Sequence, residues 1–187
     1  TLPKIQPPVF QGDPLAWLDL FGLFSATIDS AAISQAEKII HLQTMVSGEA
    51  KALIAGFGYN PAMYQFALSR LKSTYGKPDR IVMSFLQRLK SFQQPSIDDP
   101  NSITTYANFI SSLVDTFTQL NFQHDIHSTI NLTTALSKMS ADVRLDWNRQ
   151  VLSQNIKDPS LKHFALWLQK FATACRTRTA ASATSTE

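Results

Sequence analysis

The chain has 187 residues, of which 44% are hydrophobic and 17% charged, and its net charge is +3. That apolar content suffices for one large or two small packed domains and excludes wholesale disorder. The basic excess is thin and unclustered: residues 1–93 carry 9 Lys/Arg against 6 Asp/Glu and residues 94–187 carry 8 against 8, which speaks against a phosphate-tracking face.

Helix punctuation recurs along the chain. The opening Ile5-Gln6-Pro7-Pro8-Val9-Phe10 is expected to be extended, because consecutive prolines forbid helix. Asp13-Pro14 then supplies an N-cap and a proline at the first helical position, and Trp17, Phe21, Phe24 and Ile28 follow on one face. Ser34 and Glu37 form a capping box for a second helix through Ile39, Leu42 and Val46. Ser47-Gly48-Glu49 restarts the chain into a short third helix ending near Gly56. Asn60-Pro61 opens a fourth, with Tyr64, Ala67, Leu68, Leu71 and Tyr75 as its buried stripe and Gly76 as a C′ stop. Lys77-Pro78 starts a fifth, carrying Ile81, Phe85, Leu89 and Phe92.

Two prolines and two acids in Gln93–Pro100 mark a linker, assigned to residues 94–101, that could hinge an N-terminal lobe (1–93) against a C-terminal lobe (102–176). A sixth helix carries Ile103, Tyr106, Ile110, Leu113, Phe117 and Leu120; its heptad spacing is too short-lived for a coiled coil, so this face belongs to a core. A seventh helix is predicted from His124 to Met139 and an eighth from Ala141 to about Gln154, with Val143, Trp147 and Val151. Asp158-Pro159 precedes a ninth, amphipathic through Leu161, Phe164, Ala165, Leu168, Phe171 and Ala172, and residues 177–187 read as a flexible tail. The expected fold is therefore all-α: two small helical bundles, five helices plus four, joined by a short linker.

Catalytic constellations are not visible. His124 and His127 sit one helical turn apart without a third ligand at suitable spacing, and they read as exposed or capping side chains. Gly56-Phe57-Gly58 lacks the strand and third glycine of a dinucleotide loop; neither a Gly-x-Ser-x-Gly elbow nor a Walker-type Gly-Lys-Ser/Thr occurs. Cys175, the single cysteine, precludes an internal disulfide, fits a reducing compartment and reads as an inert thiol despite the neighbouring Arg176. Trp17, Trp147 and Trp167 lie in helical stripes and are assigned to core, and Asn131-Leu132-Thr133 is a chance sequon. No apolar run reaches the ~20 residues of a membrane span. The chain opens at Thr1 without Met, as an excised fragment does. The expectation is a non-enzymatic protein with no cofactor and no metal, outside the membrane.

Leu2-Pro3-Lys4-Ile5, followed by Pro8-Val9-Phe10-Gln11-Gly12-Asp13-Pro14-Leu15-Ala16-Trp17, closely resembles the Gag region of Bel/Pao-type long-terminal-repeat retrotransposons. There a Leu-Pro-Lys lead precedes Pro-x-Phe-x-Gly-Asp and a Trp. Further stretches agree in order: Glu37-Lys38 through Leu42, Gly48-Glu49-Ala50 with Ile54-Ala55-Gly56, and Tyr64 through Leu71 to Tyr75-Gly76-Lys77-Pro78. The likeness continues more loosely through Leu136-Ser137-Lys138-Met139 and Val143-Arg144-Leu145-Asp146-Trp147, and so covers most of residues 2–175.

What the resemblance implies is a retroviral-capsid-like module that self-assembles into a cytoplasmic virus-like particle enclosing RNA. RNA would be bound by a neighbouring segment of the parent polyprotein, since this chain has neither a Cys-x-x-Cys knuckle nor an Asp-Ser/Thr-Gly protease string. Homo-oligomerisation is expected, with dimerisation of the C-terminal lobe through Leu136, Met139, Val143 and Trp147, a dense apolar string broken only by Ser140-Ala141-Asp142. The competing assignment of the same four residues is lobe core. Two other classes stay open: a host-domesticated, Gag-derived helical adaptor that binds host peptides in an apolar groove, and an RNA-binding helical domain, which needs a basic face.

Overall fold

A computed structural model describes residues 8–184, so Leu2-Pro3-Lys4-Ile5 and the first part of the expected extended opening lie outside the described residues. The fold is all-α. Packing divides the chain into two compact units, residues 1–84 and 85–187.

In the first unit, α1 (Pro14–Phe24) is capped by Asp13, whose carboxylate accepts from the Leu15 N–H at 3.0 Å. It continues into a π-helical turn, Ser25–Asp29, where the sequence predicts plain α-helix. At the end of that turn the Asp29 carboxylate accepts from the Tyr64 hydroxyl at 2.6 Å and its carbonyl from Lys38 Nζ at 2.5 Å. α2 (Gln35–Thr44) has the predicted capping box: the Glu37 N–H donates to Ser34 Oγ and the Ser34 N–H to Glu37 Oε2. α3 (Gly48–Ile54) and α4 (Tyr64–Tyr75) follow, joined by two single 3-10 turns. The buried Gln43 amide holds that junction, donating to the carbonyls of Ile54 at 3.0 Å and Gly58 at 2.8 Å.

Phe10 pins the start of the chain. It bridges Val46 in parallel, exchanging backbone hydrogen bonds with Met45 and Ser47, and its ring packs edge-on against Trp17 (5.5 Å) and Tyr75 (4.9 Å). Gly76 ends α4 beside this cluster with φ −92°, outside the left-handed region that a C′ glycine stop adopts. Its reason for being glycine is space: a Cβ there would stand 2.7 Å from Trp17 Nε1 and 2.8 Å from the Lys72 carbonyl.

α5 (Pro78–Ser91) contains the packing boundary between Ser84 and Phe85, upstream of the segment 94–101 that the prolines single out. Aromatic packing explains its position: Phe85 meets Phe109 and Phe117, and Phe92 meets Tyr106 and Phe109, all within the second unit. The segment after α5 is itself tied down. Pro95 is buried, the Ser96 N–H donates to Ser102 Oγ at 2.9 Å, and Asp99 caps α6 by accepting from the N–H groups of Asn101 and Ser102.

The second unit is built on α6 (Pro100–Gln119), whose Ile103, Tyr106, Ile110, Leu113 and Phe117 are fully buried. α10 (Leu161–Thr184) packs along it, and the Gln169 amide reaches Asn108 and Ser111 across that contact. Two sequence expectations are corrected here. The single helix predicted from His124 to Met139 is two: α7 (Gln123–Ile126) and α8 (Thr129–Ser137). Ser128 breaks it by taking an extended backbone and capping α8, its hydroxyl accepting from the Asn131 N–H. The expected tail is helical as far as Thr184. Its alanines favour helix, and Thr177, Thr179 and Ser182 fold their hydroxyls back onto carbonyls four residues earlier.

Candidate self-association surface

α8 and α9 (Ala141–Ser153) form a hairpin closed at Lys138–Ser140, and all four residues expected at an interface lie on it. Met139 and Val143 are 3% exposed and Trp147 2%, while Leu136 is half-buried. Trp147 sits edge-on to Phe164 (5.4 Å) and Trp167 (5.6 Å), and the Tyr106 hydroxyl donates to the Ala135 carbonyl at 2.7 Å beneath the hairpin. Met139, Val143 and Trp147 are thus core residues of the folded unit, as the competing assignment has it. They are not available to a second copy while the unit stays folded.

The opposite side of α9 is different. At about 100° per residue, Leu145 and Leu152 fall on a common face roughly half a turn from Val143 and Trp147. Leu152 is 80% exposed and Leu145 49%, and Leu152 is the most exposed large apolar side chain among the described residues. Between them lie Asn148 and Arg149, with Arg149 Nη1 3.2 Å from the Asp146 carboxylate. Reading only the stripe that continues from Leu136 and Met139 misses this second apolar pair; its seven-residue spacing is the signal that finds it.

The other candidate groups carry less. His124 and His127 are exposed, and among the described residues no three His, Cys, Asp or Glu side chains converge as metal ligands. Cys175 is half-buried, which pushes its thiol up from the ordinary value, against a smaller opposing pull from Arg178. An open recess of about 670 Å³ beside the start of α6 is lined by hydroxyls, amides, Arg88 and Asp99, and the Asp99 carboxylate is already engaged in capping. Trp17 and Trp147 are buried and Trp167 half-buried, in line with their assignment to core.

Residues 10–156, from the Phe10 bridge through the outward face of α9, match a family described as a protein of unknown function, DUF1759. The chain belongs to the DUF1759 family. DUF1759 is known as a retrotransposon Gag-like region, and the match includes both faces of α9 while stopping short of α10. Neither a curated protein nor a solved structure matches the chain.

Proposed function

We propose that this DUF1759 chain is a capsid-like structural module from the Gag polyprotein of a Bel/Pao-type retrotransposon, self-associating into a shell that encloses RNA. The observation that most supports this is membership of a Gag-like family across residues 10–156 of an all-α chain. The role is structural and non-enzymatic, without cofactor or metal. RNA is held through a neighbouring segment of the parent polyprotein, and the particles form in the cytoplasm. Among the described residues, no helix is long and apolar enough to cross a membrane.

Such a module works through many small contacts between identical copies. Each contact is weak alone, and a lattice multiplies it through effective concentration. Dilution-dependent light scattering and negative-stain imaging of the purified chain at raised ionic strength test the proposal, and shells or tubes are the expected result. A chain that stays monomeric in every buffer and captures a peptide would instead be an adaptor. RNA affinity of this chain alone, falling steeply with salt, would make it an RNA-binding domain.

A further inference from the structure

Ser96 is the one serine or threonine in the chain with carboxylates at both the second and the third position after it, Asp98 and Asp99. It lies in the non-helical segment between α5 and α6, and Ser96, Ile97, Asp98 and Asp99 are all exposed. The turn presents the hydroxyl as a nucleophile. Its oxygen accepts from the Asp98 N–H at 3.2 Å, and its own proton goes to no acceptor among the described residues. The turn is otherwise held by the Ser96 N–H on Ser102 Oγ (2.9 Å), the Asp99 N–H on the Ser96 carbonyl (3.0 Å) and the Ser102 hydroxyl against that carbonyl (3.2 Å). These bonds lie at the surface, so the turn opens locally at small cost. Ser34, with Glu37 three residues on, is the rival hydroxyl and differs in kind. It donates to the Glu37 carboxylate at 2.8 Å, and the same carboxylate accepts the Ser34 N–H at 2.9 Å, so that acid is consumed by the capping box.

The same residue lines the open recess of about 670 Å³ beside the start of α6. Arg88, in the last turn of α5, is the cation on its wall, and among the described residues Arg88 makes no ion pair. Ser102 and Gln94 add neutral donors. A tetrahedral dianion attached at Ser96 thus meets open space, one guanidinium and several hydrogen-bond donors, which is what a phosphate requires. We propose that Ser96 is a phosphorylation site for an acidophilic serine/threonine kinase, and that Arg88 holds the attached phosphate in this recess. In the transfer, the bond from the γ-phosphorus of ATP to ADP breaks and a bond to Ser96 Oγ forms, while the hydroxyl proton passes to the kinase's catalytic carboxylate. Asp98 and Asp99 suit a substrate groove lined with cations. Once the phosphate is in place they repel it, so Arg88 decides how well it is tolerated beside them. The group brings roughly −1.5 to −2 charges at neutral pH, half or more of the chain's net +3. Phosphorylation therefore ties the end of α5 to the start of α6 and discharges much of the molecule.

Incubating the full chain with an acidophilic serine/threonine kinase and magnesium ATP, followed by phosphopeptide mapping, tests the site. The expected result is phosphate on Ser96, filled ahead of Ser34 and absent from the same peptide of Ser96→Ala. Replacing both acids, Asp98→Asn with Asp99→Asn, should cut the initial rate about tenfold or more. Asn caps a helix as well as Asp does, so α6 keeps its start in that variant. The holding role of Arg88 is read separately, from the shift in melting midpoint that phosphorylation produces. Arg88→Gln keeps a polar side chain and removes the charge, and its shift should be less favourable than that of the unaltered chain. The difference between the two shifts isolates the coupling of phosphate to guanidinium. Equal shifts would overturn the part given to Arg88. A folded chain that leaves Ser96 unfilled, or that fills Ser34 first, would overturn the site itself, and self-association is untouched by either result.

Discussion

Replacing Trp147 by alanine separates a core role from an interface role in one experiment. The indole is 2% exposed and packs edge-on against Phe164 and Trp167 at 5.4 and 5.6 Å. Truncating a buried Trp to Ala costs about 3–5 kcal/mol, of which each aromatic pair accounts for roughly 0.5–1.5 kcal/mol. Set against a domain stability of about 5–15 kcal/mol, that is about a fifth or more of what holds the second unit together. For a unit of this size, each kcal/mol moves the midpoint by about 4–8 °C, so Trp147→Ala should melt at least ~12 °C lower. Circular dichroism melts of the full chain, run beside sedimentation of the same samples, provide the readout. Leu152→Ala is the control: its side chain is 80% exposed, and an exposed substitution is expected to stay within about 0.5 kcal/mol. A Trp147→Ala chain that keeps its midpoint and loses only its association would refute the assignment of this face to core.

Gly76→Ala should destabilise the first unit by roughly 1–3 kcal/mol, measured by urea denaturation, because the new methyl meets a buried indole and a backbone carbonyl that cannot both retreat. Tyr106→Phe removes the hydroxyl donor from the Ala135 carbonyl, which keeps only the Lys138 N–H, a loss of about 0.5–1.5 kcal/mol visible in the same assay on the second unit. The Ser34 N–H, and then its hydroxyl, hold the Glu37 carboxyl below its ordinary value of 4.5. A depressed folded-state pKa stabilises above the unfolded value and loses that contribution as pH falls through the folded one, so α2 should weaken on acidification and Glu37→Gln should flatten the pH dependence of the midpoint. Tyr64 and Tyr106 have hydroxyl pKa values raised first by burial, with Asp29 adding to the rise for Tyr64. Here the folded value lies above the unfolded 10.0, so stability is lost as pH rises past that point. Alkaline titration at 295 nm should show both tyrosines ionising together with unfolding.

Much of the fold was legible because caps are local chemistry. Asp13, Ser34 with Glu37, and Asn60 each announce a helix through a side chain two or three residues from the N–H it accepts, and each makes that bond. Buried stripes such as Ile103-Tyr106-Ile110-Leu113-Phe117 were legible for the same reason, since periodicity is set by the helix itself. What was not legible depended on competition between local options. Ser128 is a tolerable interior residue or a strong N-cap, and only the bond from the Asn131 amide to the Asp125 carbonyl shows which option prevails. Residues 177–184 have the composition of a linker, yet they extend a helix already nucleated on the core. Gly76 was placed correctly as the end of α4 for the wrong reason, because its close neighbour Trp17 is distant in sequence.

The candidate site shows a different kind of limit. Amphipathic periodicity identifies a face when a helix has one apolar stripe, and α9 has two. Val143 and Trp147 continue the apolar string from α8, so sequence proximity assigns them prominence, and the same continuity is what lets them fold inward with Phe164 and Trp167. Leu145 and Leu152 interrupt an otherwise polar face, where a single exposed leucine would carry no meaning. The burial of Trp147 against Phe164 and Trp167 makes its truncation a probe of folding.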